Sequence, residues 1–134
     1  MKQKIFSGMK KKPLPATSPK ALLAGRWRIT EMSMWDSDSY DTATKAFICI
    51  DKDSMGQFQF DLLCGEMDGE FKGTPAGAVF DFTWQGNDEC DGACGDGWLC
   101  SPDGRKAEGE IRIHCGDKSG FKAKRRLEHR KKNE

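Results

Sequence analysis

Across residues 25–126 apolar and polar side chains alternate in eight short runs. In the first, residues 26–32, Trp27 and Ile29 oppose Arg26, Arg28 and Thr30. The second, residues 45–51, is the β-rich stretch of Phe47, Ile48, Cys49 and Ile50. In the third, Phe58, Phe60, Leu62 and Cys64 alternate with Gln57, Gln59 and Asp61; in the fourth, Met67, Gly69 and Phe71 alternate with Asp68, Glu70 and Lys72. Phe80, Phe82 and Trp84 share a face of the fifth, and the brief sixth covers residues 98–100. The seventh sets Ile111 and Ile113 against Glu110, Arg112 and His114; the eighth sets Phe121, Ala123 and Arg125 against Lys122, Lys124 and Arg126. A period of two gives each strand one dry and one wet face, hence an antiparallel sheet. The predicted fold is all-β: an eight-stranded antiparallel up-and-down meander. Closing it into a small barrel removes its exposed edges.

The connections differ by end. Residues 51–56, 74–77 and 102–104 carry Asp, Pro and Gly turn chemistry and share one end of a meander. The other end receives residues 33–44, the Cys64-Gly65 corner, residues 86–97 and residues 115–119. Segments of about a dozen residues are uncommon in compact domains and are commonly functional. This end therefore gathers Trp35, Asp36, Asp38, Tyr40, Asn87, Asp88, Glu89, Asp91, His114, Asp117 and Ser119. Loops held by a rigid scaffold are a common place for binding residues. The same residue types also bend and cap backbone with no ligand present.

Before the first strand, Ser18, Pro19 and Gly25 have the positions of an N-cap, a first helical residue and a stop, which predicts one helical turn presenting Leu22 and Leu23. Residues 1–17, with lysines and two prolines, are expected to be a disordered basic tail, and residues 128–134 a second one. Residues 18–127 make a single domain. Residues 24–123 hold 10 basic and 19 acidic side chains, so the overall net charge of +1 conceals an acidic body between basic tails. Such a body is expected to repel nucleic acid, whose binding needs clustered Lys and Arg. No apolar run is long enough to span a membrane, and the N-terminal residues lack the apolar core of a secretory signal. A cytoplasmic location follows, with the six cysteines expected as thiols in a reducing compartment. Cys90 and Cys94, in an exposed loop, are readable either as free thiols or as an oxidisable pair.

Gly25-Arg26-Trp27 at the start of the first strand, eight strands, a preceding helical turn and Arg125 on the last strand together resemble the lipocalins and the wider calycin barrels. The resemblance implies a calycin-like barrel in which Arg125 packs over Trp27 at the closed end. The chain is also similar to a group of small bacterial proteins without assigned activity. It shares with them Trp35-Asp36, Trp84-x-Gly86-Asn87-Asp88-Glu89, Gly95-x-Gly97-Trp98 and Ile113-His114-x-Gly116-Asp117-x-Ser119-x-Phe121. That likeness implies a common fold, and implies that most of the cysteines are particular to this chain, which counts against a metal site.

The chemistry stays open at this level. A small-ligand or ion site would use Trp35, Asp36, Trp84, Asn87, Asp88, Glu89, Trp98, His114, Asp117 and Ser119, with Trp84 and Trp98 lining a pocket and Trp35 at its rim. The same aromatics can instead fill the lumen of a small barrel outright. Asp88, Glu89, Asp91 and Asp96 offer hard oxygens, and Cys90, Cys94, Cys100, Cys115 and His114 an irregular zinc-type set; neither spacing matches a known pattern. No metal site is expected, and no cofactor is specified. Cys49, Cys64 and Cys100 read as small core residues. His114 could act as a general base, and Ser119, His114 and Asp36 or Asp88 would make a formal triad, but no strand–turn–helix elbow presents Ser119. Three readings follow in order: a binding barrel for a small ligand or ion, a module that docks a basic protein through Trp35, Tyr40 and the acidic loops, and an enzyme.

Overall fold

The computed structural model describes residues 18–42 and 44–126; the two basic tails lie outside them. Helix α1 (Pro19–Leu23) precedes strand β1 (Gly25–Met32), and a second short helix, α2 (Ser37–Tyr40), follows it. The remaining strands are β2 (Phe47–Ile50), β3 (Met55–Phe60), β4 (Leu63–Thr74), β5 (Gly77–Asp88), β6 (Asp91–Ser101), β7 (Lys106–Ile113) and β8 (Lys118–Arg125). Each pairs antiparallel with the next, and β8 closes on β1 with Trp27 opposite Arg125. The eight-stranded meander and its closure are as the alternation predicts.

Three local differences have physical causes. The third run does not continue to Cys64. Asp61 takes a left-handed conformation (φ 54°), and Asp61-Leu62 forms a tight hairpin turn. This flips the parity, so Leu63 points in, while Leu62 and Cys64 are exposed. The second difference is larger. Residues 86–97 are not a loop: β5 and β6 run on as one long hairpin to a turn at Glu89-Cys90, where Glu89 has φ 58°. The alternation fades in the sequence because its inward positions are Gly86, Ala93, Gly95 and Gly97. The third concerns β6, whose buried side is Gly97, Leu99 and Ser101, so Trp98 points outward.

The lumen is filled. Trp27, Phe58, Phe60, Phe80, Phe82, Trp84 and Phe121 are all buried. Strand glycines make room for the rings. A Cβ on Gly65 would lie 2.5 Å from Phe58 Cζ and 3.0 Å from Trp84 Cε3; one on Gly97 would lie 2.8 Å from Phe82 Cζ. A bare backbone thus forms the floor on which each ring lies, the device known from aromatic rescue of strand glycines. Sequence reading left a filled lumen and a pocket both open; the structure places all seven of these rings inside the barrel.

The closed end is sealed by α1. The Trp27 indole N–H donates to Leu23 O (2.9 Å), and the Arg125 guanidinium stands 4.6 Å from the Trp27 ring centroid. Arg125 also donates to the carbonyls of Ala24 (2.7 Å), Gly104 (2.5 Å) and Leu22. Burial lowers its pKa from the usual guanidinium value.

Candidate functional site

The connections at the opposite end do converge. Asp61 N–H donates to Tyr40 O (2.8 Å), Glu89 N–H to Leu62 O (3.1 Å), and Ser33 N–H to Gly120 O (2.9 Å). These bonds tie the β1–β2 connection, the β3–β4 turn, the β5–β6 turn and β8 into one rim.

Within that rim many candidate side chains have structural tasks. Asp36 caps α2, its carboxylate accepting from Ser39 N–H (3.3 Å). Tyr40 is buried, and its hydroxyl donates to Thr30 O (2.8 Å); it is core and is not available as an exposed docking aromatic. Trp35 is half-buried and packs on Phe60 at 5.2 Å between centroids. Phe60 stacks on Phe58, and Phe58 meets Trp84 edge-on at 5.2 Å. These four rings plug the mouth of the barrel. Ser119 is buried; its hydroxyl accepts from Met34 N–H (3.1 Å), donates to Gly120 O (2.9 Å) and lies 3.4 Å from Ser33 Oγ. It pins the start of the long connection to β8, and among the described residues its hydroxyl bonds neither His114 nor a carboxylate.

Trp84 is inside, its indole N–H 3.3 Å from Arg112 O, while Trp98 lies on the outer wall opposite Asp81 and Glu110. The two tryptophans therefore share no pocket. Asn87, Asp88 and Glu89 are exposed at the tip of the β5–β6 hairpin, and Asp91 faces Asp88 across it. His114 is exposed at the β7–β8 turn, its backbone N–H on Cys94 O (2.7 Å), and Asp117 closes that turn by accepting from Ile113 N–H (2.9 Å). The rim thus collects Asn87, Asp88, Glu89, Asp91, His114 and Asp117 as exposed groups. Among the described residues, no three of His, Cys, Asp and Glu come together as a metal-ion site. Asp96 is taken by Arg112 through two bonds (2.9 and 3.1 Å), which hold its carboxyl below the usual range against some burial.

A depression of about 730 Å³ lies on the outer wall, where Glu66, Gln85, Cys94, Asp96, Arg112 and His114 meet across β4–β7. Sequence reading passed over it because register across four strands builds it, and no local motif marks register. The cysteines also differ from expectation. Cys64 is exposed, and Cys49 and Cys100 sit half-buried on outward positions. Burial raises the Cys100 thiol pKa, and the nearby Glu108 adds to the effect.

Structure and residues together define a small closed antiparallel β-barrel whose inner face is lined by buried aromatic and aliphatic side chains. The chain matches no protein-family model, no curated protein and no solved structure.

Proposed function

We propose that this barrel is a binding module that works from its outer rim rather than from its lumen, and that its ligand at the long-loop end is a basic segment of a protein partner. The crowded mouth supports this reading: Trp35, Phe60, Phe58 and Trp84 are in contact where a small molecule would enter the lumen. Outside the plug, Met34 and Leu62 are among the exposed large apolar side chains, and the acids of the β5–β6 tip stand at the same end. Apolar anchors beside unneutralised charge are the makings of an interface. A small ligand or ion is the second reading, supported by the exposed polar groups Asn87, Asp88 and Glu89 at the β5–β6 tip and His114 and Asp117 at the neighbouring β7–β8 turn.

The closed end supports a calycin-type assignment, since Gly25-Arg26-Trp27 begins β1 and Arg125 covers the indole. A solid lumen would set this chain apart from cup-shaped ligand carriers. The outward positions of β4 are Cys64, Glu66, Asp68, Glu70 and Lys72, a pattern opposite to the apolar band of a membrane barrel. Free thiols at Cys64, Cys90, Cys94 and Cys115, all exposed, support a reducing location such as the cytoplasm.

The test compares cross-linked co-purification by the wild-type chain, Met34→Asp/Leu62→Asp and Asp88→Lys/Glu89→Lys, with melting curves as the folding control. A partner lost by both variants supports the protein-docking reading. A partner retained by both removes it, and a small species released from the wild type in native mass spectrometry supports the second reading instead.

A further inference from the structure

The acidic sum over the body hides a charge separation that only the closed barrel creates. On the outer wall of β7, β8 and β1, Lys106 is registered opposite Lys124, and Lys124 opposite Arg28. In the adjoining row, Arg126 N–H donates to Arg26 O, which sets two more cations side by side. Arg28 is held by Asp41 (2.8 Å). Among the described residues, the side chains of Lys106, Lys124, Arg26 and Arg126 make no ion pair with a carboxylate, although Asp103 accepts from the Lys106 backbone N–H (3.1 Å) and the Arg26 guanidinium lies over the Phe47 ring. Compensation resumes one row further on, where Lys122 is registered opposite both Glu108 and Glu31.

The acids collect elsewhere. Glu66, Asp68, Glu70, Asp81 and Asp96 stand on β4–β6, and in the closed order of strands β4 and β5 lie across the barrel from β8 and β1. Like charges set directly opposite one another across strands destabilise a sheet. A row of them without counter-charge is a surface waiting for an anion.

We infer that this belt binds the phosphate backbone of nucleic acid, without base recognition. Spaced single cations on a convex wall suit a chain of phosphates, and they carry no base-reading geometry. None of the exposed large apolar side chains, Met34, Met55 and Leu62, lies on β7, β8 or β1, so nothing beside the belt would insert among lipid tails. The sequence beyond Arg126 also carries Arg130, Lys131 and Lys132 against Glu128 and Glu134, outside the described residues. The acidic wall on the far side would repel the same polymer and so orient the protein on it.

The test is fluorescence anisotropy of the full-length chain with a labelled oligothymidylate over a salt series. Four belt cations would give a slope of log affinity against log salt of about −3, with any tail contribution added. Lys106→Gln/Lys124→Gln would make the slope shallower by about 1.4, and Glu66→Gln on the far wall would leave it unchanged. The double variant would melt no lower than the wild type, because it relieves a like-charge row. The inference is overturned by absence of binding at low salt, by a wild-type slope in the double variant, or by phosphatidylserine vesicles displacing the oligonucleotide.

Discussion

Arg125 and Trp27 face each other across the β8–β1 seam, the guanidinium carbon 4.6 Å from the indole centroid, while the same guanidinium ties down three carbonyls of α1 and the β6–β7 connection. One side chain therefore fastens the helix, the seam and the barrel floor.

Replacing Arg125 with Met keeps much of the stem's packing and removes the cation. Charged hydrogen bonds and a cation–π contact are lost together, at an expected cost of about 2–4 kcal/mol in urea unfolding. Arg125→Lys should recover less than half of this, since an ammonium cannot fork to carbonyls on both sides. Full recovery by Lys would mean that charge alone matters there.

Gly65→Ala tests the solid lumen. Its Cβ would enter the Phe58 and Trp84 rings, and overpacking of this kind costs about 1–3 kcal/mol. Gly92→Ala is the control: nothing lies within 4 Å of the added carbon, so stability should change by no more than about 0.5 kcal/mol. Equal tolerance at both sites would show that the interior has space.

Acid should loosen the structure through identifiable carboxyls. Asp41 is partly desolvated, which opposes ionisation, but hydrogen bonds from Arg28 and Ala46 N–H outweigh this and lower its pKa. Asp103 is lowered by the N–H groups of Arg105 and Lys106. A carboxyl depressed in the folded state contributes stability above its unfolded pKa of about 3.9, and that contribution is lost as pH falls through the folded value. Melting temperature should therefore drop below about pH 4, and Asp41→Asn should flatten that drop while lowering stability at neutral pH.

Thiol titration with an aromatic disulfide should divide the cysteines by exposure. Cys64, Cys90, Cys94 and Cys115 should react quickly in the native protein. Cys100, half-buried and with its thiol pKa raised by burial, should react slowly until denaturant is added. Rapid reaction of Cys100 would mean that β6 opens readily at its closed-end half.

Alternation in the sequence was sufficient for strand count and antiparallel pairing, because each rests on local periodicity. Ser18 and Pro19 marked the capped helical turn, and the Trp27–Arg125 seal was what the resemblance to calycin barrels implied. Of the long connections expected at one end, the one between β1 and β2 stays long, while residues 86–97 are strand and a tight turn. Alternation failed where inward glycines follow one another without a large apolar residue between them, whereas the lone Gly69 between Met67 and Phe71 was placed correctly. Gly86, Gly95 and Gly97 read as loop, yet they lie within strands because the space they leave is taken by rings from elsewhere in the barrel. The parity of Leu62 was lost because the left-handed Asp61 turns the chain over at the hairpin, and that of Trp98 because the inward neighbours before it, Gly95 and Gly97, have no side chain to mark the buried face. The rim was legible as a set of converging connections, but the tasks within it were not. Tyr40 as core and Ser119 as a pin depend on partners outside their own elements, and Asp36, though its cap bond to Ser39 is local, was read as a rim carboxylate because no periodic run marks the four-residue α2. Charge was the clearest division of all. Composition determined an acidic body, and only closure of β8 on β1, by aligning cations from three strands, decided that one wall of that body is basic.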